Sequence, residues 1–331
     1  MNMKKLKKTF SLILVAALCL ALLAGCGSKK DKSEFNVAII KLMDHASLDE
    51  IANAVAARLD EIAAEKGITI HYEITSGQGD QTVLRQLADQ AIADKVDAII
   101  PIATPAAQMA VLAAETTKTP VIFSAVSYPA DANIDGIDYV SGISDALNTE
   151  LILDMMLAQN SAVDKVGLLY SLSETNSATP IAEAKAYLDG KGIAYVEQTA
   201  NTNDEVIAAA SALIAADVDA IFTPTDNVIM SAELAIAPNL IAAGIPHYTG
   251  ADSFVRNGAF ATCGVNYTQL GRDSADLAYQ AITQGMASME DYYLAGGGII
   301  TVNTETAAAL KADYSVFAGM GEVVEVVTTV D

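Results

Sequence analysis

Two stretches decide how this chain is read: VDAIIPIATPAAQMA at 96–110 and VDAIFTPTDNVIM at 218–230. In each, VDAI opens a short apolar run, a Thr stands near its end, and a helix-forming segment follows. A Pro-containing strand pattern then comes one helix later, TPVIFSAV at 119–126 and IPHYTGAD at 245–252. One phrase used twice predicts two similar lobes, and the positions where the copies differ carry the information.

Outward from these stretches, strand and helix signals alternate almost without a break. FNVAIIKLM (35–43) reads as a strand and LDEIANAVAARLDEIAAEKG (48–67) as a helix ended by Gly67. ITIHYEITSG, QTVLRQLADQAIADK and PAAQMAVLAAETT continue the alternation, the last with Pro105 at the favoured first helical position. Runs such as AIIPIA and KVGLLYS are apolar on both faces, as strands of a buried parallel sheet must be. The expected fold is therefore α/β, two doubly wound parallel-sheet lobes joined by hinge crossovers. The expected division is 35–142 plus 253–290 for the N-terminal lobe and 143–252 plus 291–331 for the C-terminal lobe. A final apolar run, EVVEVVTTV at 322–330, reads as a strand without an assignable neighbour.

The first residues read as an export signal. Lys4, Lys5, Lys7 and Lys8 precede an apolar region at 10–23, of signal-peptide length and short for a membrane span. It ends in Leu23-Ala24-Gly25-Cys26, which resembles a bacterial lipobox. Expected from this are a signal peptide at 1–25, lipidation of Cys26, and a lipidated tether at 26–34. The protein is then extracytoplasmic and held to the cell membrane through the lipid anchor.

Composition narrows the function. The net charge is −22, and losing the four leader lysines takes it to about −26. Nucleic acid is excluded as a partner, because its phosphates require a basic patch. Of three cysteines, Cys19 leaves with the leader, Cys26 is the lipid site, and Cys263 sits in the apolar run AFATCGV as a buried structural thiol. His45, His71 and His247 have no metal-site spacing, so no metal and no cofactor is expected. Gly77-x-Gly79 lacks the third glycine of a dinucleotide fingerprint, and Gly296-Gly297-Gly298 precedes a strand rather than a helix. No catalytic constellation is present.

Ligands of open parallel sheets bind outside the carboxyl ends of the strands, beside helix N-termini. At Ala103-Thr104-Pro105-Ala106 the turn is small and uncharged, so free backbone N–H groups can face an anion such as a carboxylate. At Pro224-Thr225-Asp226-Asn227 the same turn carries an acid, and Asp252 stands at the next strand end. An ammonium group would find paired carboxylates there, although Asp226 and Asn227 also suit the blander role of helix caps. Together the two turns match an α-amino acid.

Specific stretches carry a family resemblance. They are DHASLDEIANAV, QGDQTVLRQLADQAIADKVDAIIPIATPAAQ, TPVIFSAVSYP, SGISD, KVGLLYSLSETNS, VDAIFTPTDN and GAFATCGVNYTQLGRDSADLA. In this order the chain resembles an ABC transporter substrate-binding lipoprotein of the type I periplasmic-binding-protein fold, within the family that includes the tryptophan-binding TrpX-like proteins. The resemblance implies a small ligand, an aromatic amino acid, held between closing lobes and delivered to an ABC permease with its ATPase. Carried over at the matching motifs, it implies ligand contacts from Thr104, Ala106, Ser124 and Ala125 in one lobe. Asn176, Ser177, Asp226, Asn227 and Asp252 are implied in the other. His45-Ala46 replaces the family's His-Pro, and Tyr128 stands where an Asp is usual, so the ligand side chain stays open. A sugar, nucleoside or signalling molecule on the same fold is the alternative, weakened by the absence of Trp.

Overall fold

The computed structural model describes residues 33–329. The signal peptide, Cys26 and the tether up to residue 32 lie outside the described residues, as do 330 and 331. Glu34, expected in the tether, already begins the first strand.

The first lobe opens with β1 (Glu34–Lys41), α1 (Ala46–Lys66), β2 (Thr69–Ser76), α2 (Gln81–Ala93), β3 (Ala98–Ile102), α3 (Thr104–Ala114), β4 (Val121–Ser124) and β5 (Val140–Ser144). The helices stop and start where the side chains dictate. Gly67 takes the left-handed conformation that ends α1, and the Asp80 carboxylate accepts the N–H groups of Thr82 and Val83 at the start of α2. The second lobe contributes α4 (Thr149–Gln159), β6 (Lys165–Tyr170), α5 (Ala178–Lys191), β7 (Ala194–Thr199), α6 (Asn203–Ala215) and β8 (Ala220–Thr223). It continues with α7 (Asn227–Ser231), α8 (Glu233–Ala243), β9 (His247–Thr249), α9 (Asp252–Arg256) and β10 (Ala261–Gly264). The chain then returns to the first lobe with α10 (Tyr267–Gln284) and β11 (Tyr293–Leu294). It ends in the second with β12 (Ile299–Asn303), α11 (Thr304–Leu310) and β13 (Glu322–Val326).

Two parallel-dominated sheets result. The first has the order β11-β5-β4-β3-β1-β2, and the second β13-β12-β10-β9-β8-β6-β7. The pairing of β10 with β12 is antiparallel and the others are parallel. Strands β3, β4 and β5 are buried along their whole length, consistent with helices on both faces. The terminal run without an assignable neighbour is β13, and it pairs parallel to β12 at the sheet edge.

The lobe boundaries differ from the expected division. Strand β10 and helix α9, expected in the first lobe, belong to the second, because Ala261 and Thr262 continue the ladder from β9. Residues 143–144 and β11, expected in the second, pair in the first sheet. The chain passes between lobes near 145–148, 264–267 and 295–298, so the switch follows ladder pairing, which leaves no trace in local pattern. Helix α10 packs tightly on α1. A Cβ on Gly271 would lie 2.6 Å from the Ile51 carbonyl oxygen, and Arg272 clasps Glu61 across the pair.

Candidate ligand-binding cleft

The carboxyl ends of both sheets face one cavity between the lobes. Read outward from the crossovers, the first sheet offers Asp145 after β5, Ala125 and Ser127 after β4, Ala103 and Thr104 after β3, then His45, Ser47 and Leu48 after β1. The second offers Ala251, Ser253 and Phe254 after β9, Thr225, Asp226, Asn227 and Met230 after β8, and Asn176 after β6. Hydrogen bonds join the lobes across it. Ser47 donates to Ser253 (2.5 Å), Ser127 meets Thr225 (3.1 Å), and His45 Nε2 lies 2.9 Å from Asn227 Oδ1. These bonds hold the lobes closed. They tie the end of β1 to the ends of β8 and β9, and the end of β4 to that of β8.

The first lobe presents backbone. Ala103 has φ 77° and ψ 158°, Ala125 has φ 55°, and both line the cavity. Such conformations are costly for residues with a Cβ and persist where the surroundings enforce them, often at ligand sites. They turn the start of α3 toward the cavity. No side chain caps that helix, and Pro105 stands in its first turn, so the N–H groups of the first turn remain to receive an anion.

The second lobe presents side chains held by a buried network. Asp226 Oδ1 accepts from the N–H groups of Val228 and Ile229, and its Oδ2 from Ser171 N–H and the Ser177 hydroxyl, all at 2.7–3.1 Å. Glu174 Oε2 accepts from Asn176 Nδ2, Asn227 N–H and Asn227 Nδ2. Burial and the nearby Asp226 push the Glu174 carboxyl up to about 8. Burial raises Asp226 as well, against the pull of its donors. The pair therefore retains a proton on Glu174, whose Oε1 is spared by these donors, while both oxygens of Asp226 serve N–H and O–H groups.

A third carboxylate stands at the crossover. Asp145 is 5% exposed, accepts from Ser127 Oγ at 2.8 Å and Tyr267 OH at 3.3 Å, and is raised by burial. Two polar atoms lining the cavity are buried without a hydrogen-bond partner among the described residues, His45 Nδ1 and Asn176 Oδ1.

Of the residues the sequence nominated, Thr104, Ala125, Asn176, Asp226 and Asn227 line the cavity. Ala106 is buried in the first turn of α3. Ser124 is turned into the core, where it donates to Ser274. Ser177 reaches Asp226 rather than the cavity. Asp252, expected in the ammonium pair, is paired along α9 with Arg256 and lies outside the lining. Tyr128 also lies outside it. Asp145, Tyr267, Ser127, Met230 and Phe254 escaped the sequence reading. Asp145 ends the SGISD stretch, whose Asp looks like any loop residue until β5 places it beside the crossover. Among the described residues no cluster has the makings of a metal site, and no helix is long and apolar enough to cross a membrane.

Two α/β lobes with a cavity between the carboxyl ends of both sheets define the type I periplasmic-binding fold. The family model for ABC transporter substrate binding proteins matches residues 36–311, and the chain belongs to that family. Its members are binders and not enzymes, and they work outside the cytoplasm. The chain is 30% identical over 297 residues, 85% of each sequence, to a tyrosine-binding protein of Clostridioides difficile. Among solved structures it is similar to a conserved domain protein of Vibrio cholerae, at 25% identity, TM-score 0.80, 87% of this chain and 99% of that one. It shares its fold with a Streptococcus pneumoniae domain in complex with L-Trp, at 24% identity, TM-score 0.81, 88% and 100% coverage. Against a ligand-free, open substrate-binding protein of Clostridium difficile the identity is 26% and the TM-score 0.67, with 89% and 100% coverage.

Proposed function

We propose that the protein captures an aromatic α-amino acid between its lobes and delivers it to an ABC permease driven by its ATPase, from a lipid anchor at Cys26. The reading is carried by the composition of the cavity. An uncapped helix start suits a carboxylate. Asp145 and Asn176 Oδ1 offer acceptors to an ammonium group, and Leu48, Met230 and Phe254 form an apolar wall for a side chain. Met adapts to and makes favourable contacts with aromatic rings. The tyrosine-binding relative and the L-Trp-bound structural neighbour support the same class of ligand.

The ammonium contact is reassigned here from Asp226 and Asp252 to Asp145 and Asn176, since Asp226 has no oxygen to spare and Asp252 is outside the cavity. A thermal-shift screen of the purified protein against the twenty amino acids, sugars and nucleosides tests the class. A ligand at 100 times its Kd adds roughly 2.7 kcal/mol of stability, several degrees of Tm. Response to Tyr or Trp, weakened roughly 30-fold in Asp145→Asn by loss of about 2 kcal/mol of charge pairing, supports the proposal. Response to sugars or nucleosides alone keeps the fold and rejects the amino acid. The anchor is tested by mass spectrometry of exported protein. Diacylglycerol on Cys26 is expected, and Cys26→Ser is expected to release the protein into the medium.

A further inference from the structure

We infer that His45 reads the far end of the ligand side chain, selecting aromatic rings that carry a hydrogen-bond donor, a phenol O–H or an indole N–H. The inference rests on the amino-acid reading above and deepens it.

A chain of hydrogen bonds fixes which atom His45 presents. Glu174 Oε2 only accepts, so the group of Asn227 that faces it at 2.8 Å is the amide nitrogen. That orientation turns Asn227 Oδ1 toward His45 Nε2, 2.9 Å away, and Oδ1 only accepts. Nε2 therefore carries the proton, and in the neutral ring Nδ1 is a bare acceptor. Burial favours the neutral ring, lowering the His45 pKa against the smaller pull of Asn227. Nδ1 is buried, lines the cavity with its residue, and has no partner among the described residues. A buried acceptor left unmade costs about 1–3 kcal/mol, so the site favours a ligand that donates to it.

Position along the cleft makes the partner a side chain rather than the amino-acid head. His45 follows β1 and Asp145 follows β5, and two strands, β3 and β4, lie between them. At about 4.8 Å per strand the two ends are roughly 14 Å apart. Tyrosine spans roughly 7 Å from its nitrogen to its phenol oxygen, and two hydrogen bonds of about 3 Å complete the distance. Leu48 and Phe254 stand at the same end as His45, where a ring would lie.

The experiment is calorimetric titration of the purified protein with isosteric pairs that differ only in the donor. One pair is tyrosine against 4-fluorophenylalanine, with 4-aminophenylalanine as a restored donor. The other is tryptophan against 3-benzothienylalanine, in which sulfur replaces N–H. Sites built to hydrogen-bond a group discriminate strongly against ligands lacking it. At least 100-fold weaker binding is expected for the donor-free member of the pair that fits, with the amino analogue within tenfold of tyrosine. The pair that discriminates identifies phenol or indole as the donor. In His45→Leu, which also removes the lobe-to-lobe bond to Asn227 and so weakens both members alike, the ratio should fall to about threefold. Asn227→Leu, which frees the tautomer, should narrow the ratio without removing the imidazole. Equal binding of both members of each pair by the wild type overturns the inference and leaves the amino-acid reading standing. Binding of no amino acid at all overturns both. The wild-type titrations decide the matter even if a variant does not fold.

Discussion

The turns after β3 and β8 begin from nearly the same words and end with opposite chemistry. Ala103-Thr104-Pro105-Ala106 leaves its helix uncapped and holds Ala103 at φ 77°. Pro224-Thr225-Asp226-Asn227 closes on itself, with Asp226 capping α7 and holding Ser171 and Ser177 from the neighbouring strand end. One copy keeps its polar groups for a guest, and the other spends them on its own framework. An acid beside a cavity is thus no evidence of a ligand contact until its oxygens have been counted.

The largest expected effect comes from breaking the self-contained copy. Asp226→Ala strips four donors of their acceptor in a buried site and should destabilise the protein by about 4 kcal/mol in urea denaturation. A loss below about 1 kcal/mol, with ligand affinity lost instead, would restore Asp226 as a binding residue. Next comes Gly250, which lets β9 end against the turn. A Cβ there would stand 2.4 Å from Thr225 N and 2.6 Å from Pro224 C. Gly250→Ala should cost about 3 kcal/mol by overpacking against backbone that cannot yield.

The same turn should make stability respond to pH. Glu174 in the folded protein holds its proton to about pH 8, whereas its ordinary value is 4.5. Between those values the native state binds more protons than the unfolded one, so stability falls as pH rises through that window. Asp226 and Asp145 shift in the same direction. Glu174→Gln should flatten the slope of Tm against pH without abolishing it, and an unchanged slope would place the retained proton elsewhere. The smallest effect belongs to the other copy. Ala103→Gly relieves backbone strain but frees the unfolded chain, and the balance should stabilise by about 1 kcal/mol at most. A clear destabilisation would mean that the Ala103 methyl packs better than its conformation costs.

Much of this was legible in the sequence because it is written locally. Alternating apolar runs pointed to the strands of both sheets except β5, whose VSGIS looks like a connecting segment, and the two-residue β11, and strand ends rich in Thr, Asp and Asn pointed to the cleft. What was not legible depends on long-range pairing. Cys263 and its neighbours in β10 look the same whichever sheet they join, and only the register with Tyr248 and Thr249 decides. Asp145 is an ordinary loop acid in the sequence and becomes a cavity carboxylate through Ser127 and Tyr267, 18 residues before it and 122 after it. Asp226 and Asp252 show the opposite case. Their side chains are engaged by protein partners that spacing does not reveal.

The packing of α10 against α1 also has a consequence for how the protein is made. Helix α1 waits for a partner more than two hundred residues later, and β11 at the edge of the first sheet comes later still. A chain emerging N-terminus first on the far side of a membrane cannot finish its first lobe until nearly all of it has crossed. The second lobe's core strands β6 to β10 are complete before that moment. The half of the binding cleft that arrives first in the sequence therefore stays incomplete until after β6 to β10 have emerged, and until then Ile51 and its neighbours on α1 are bare to whatever else is folding nearby.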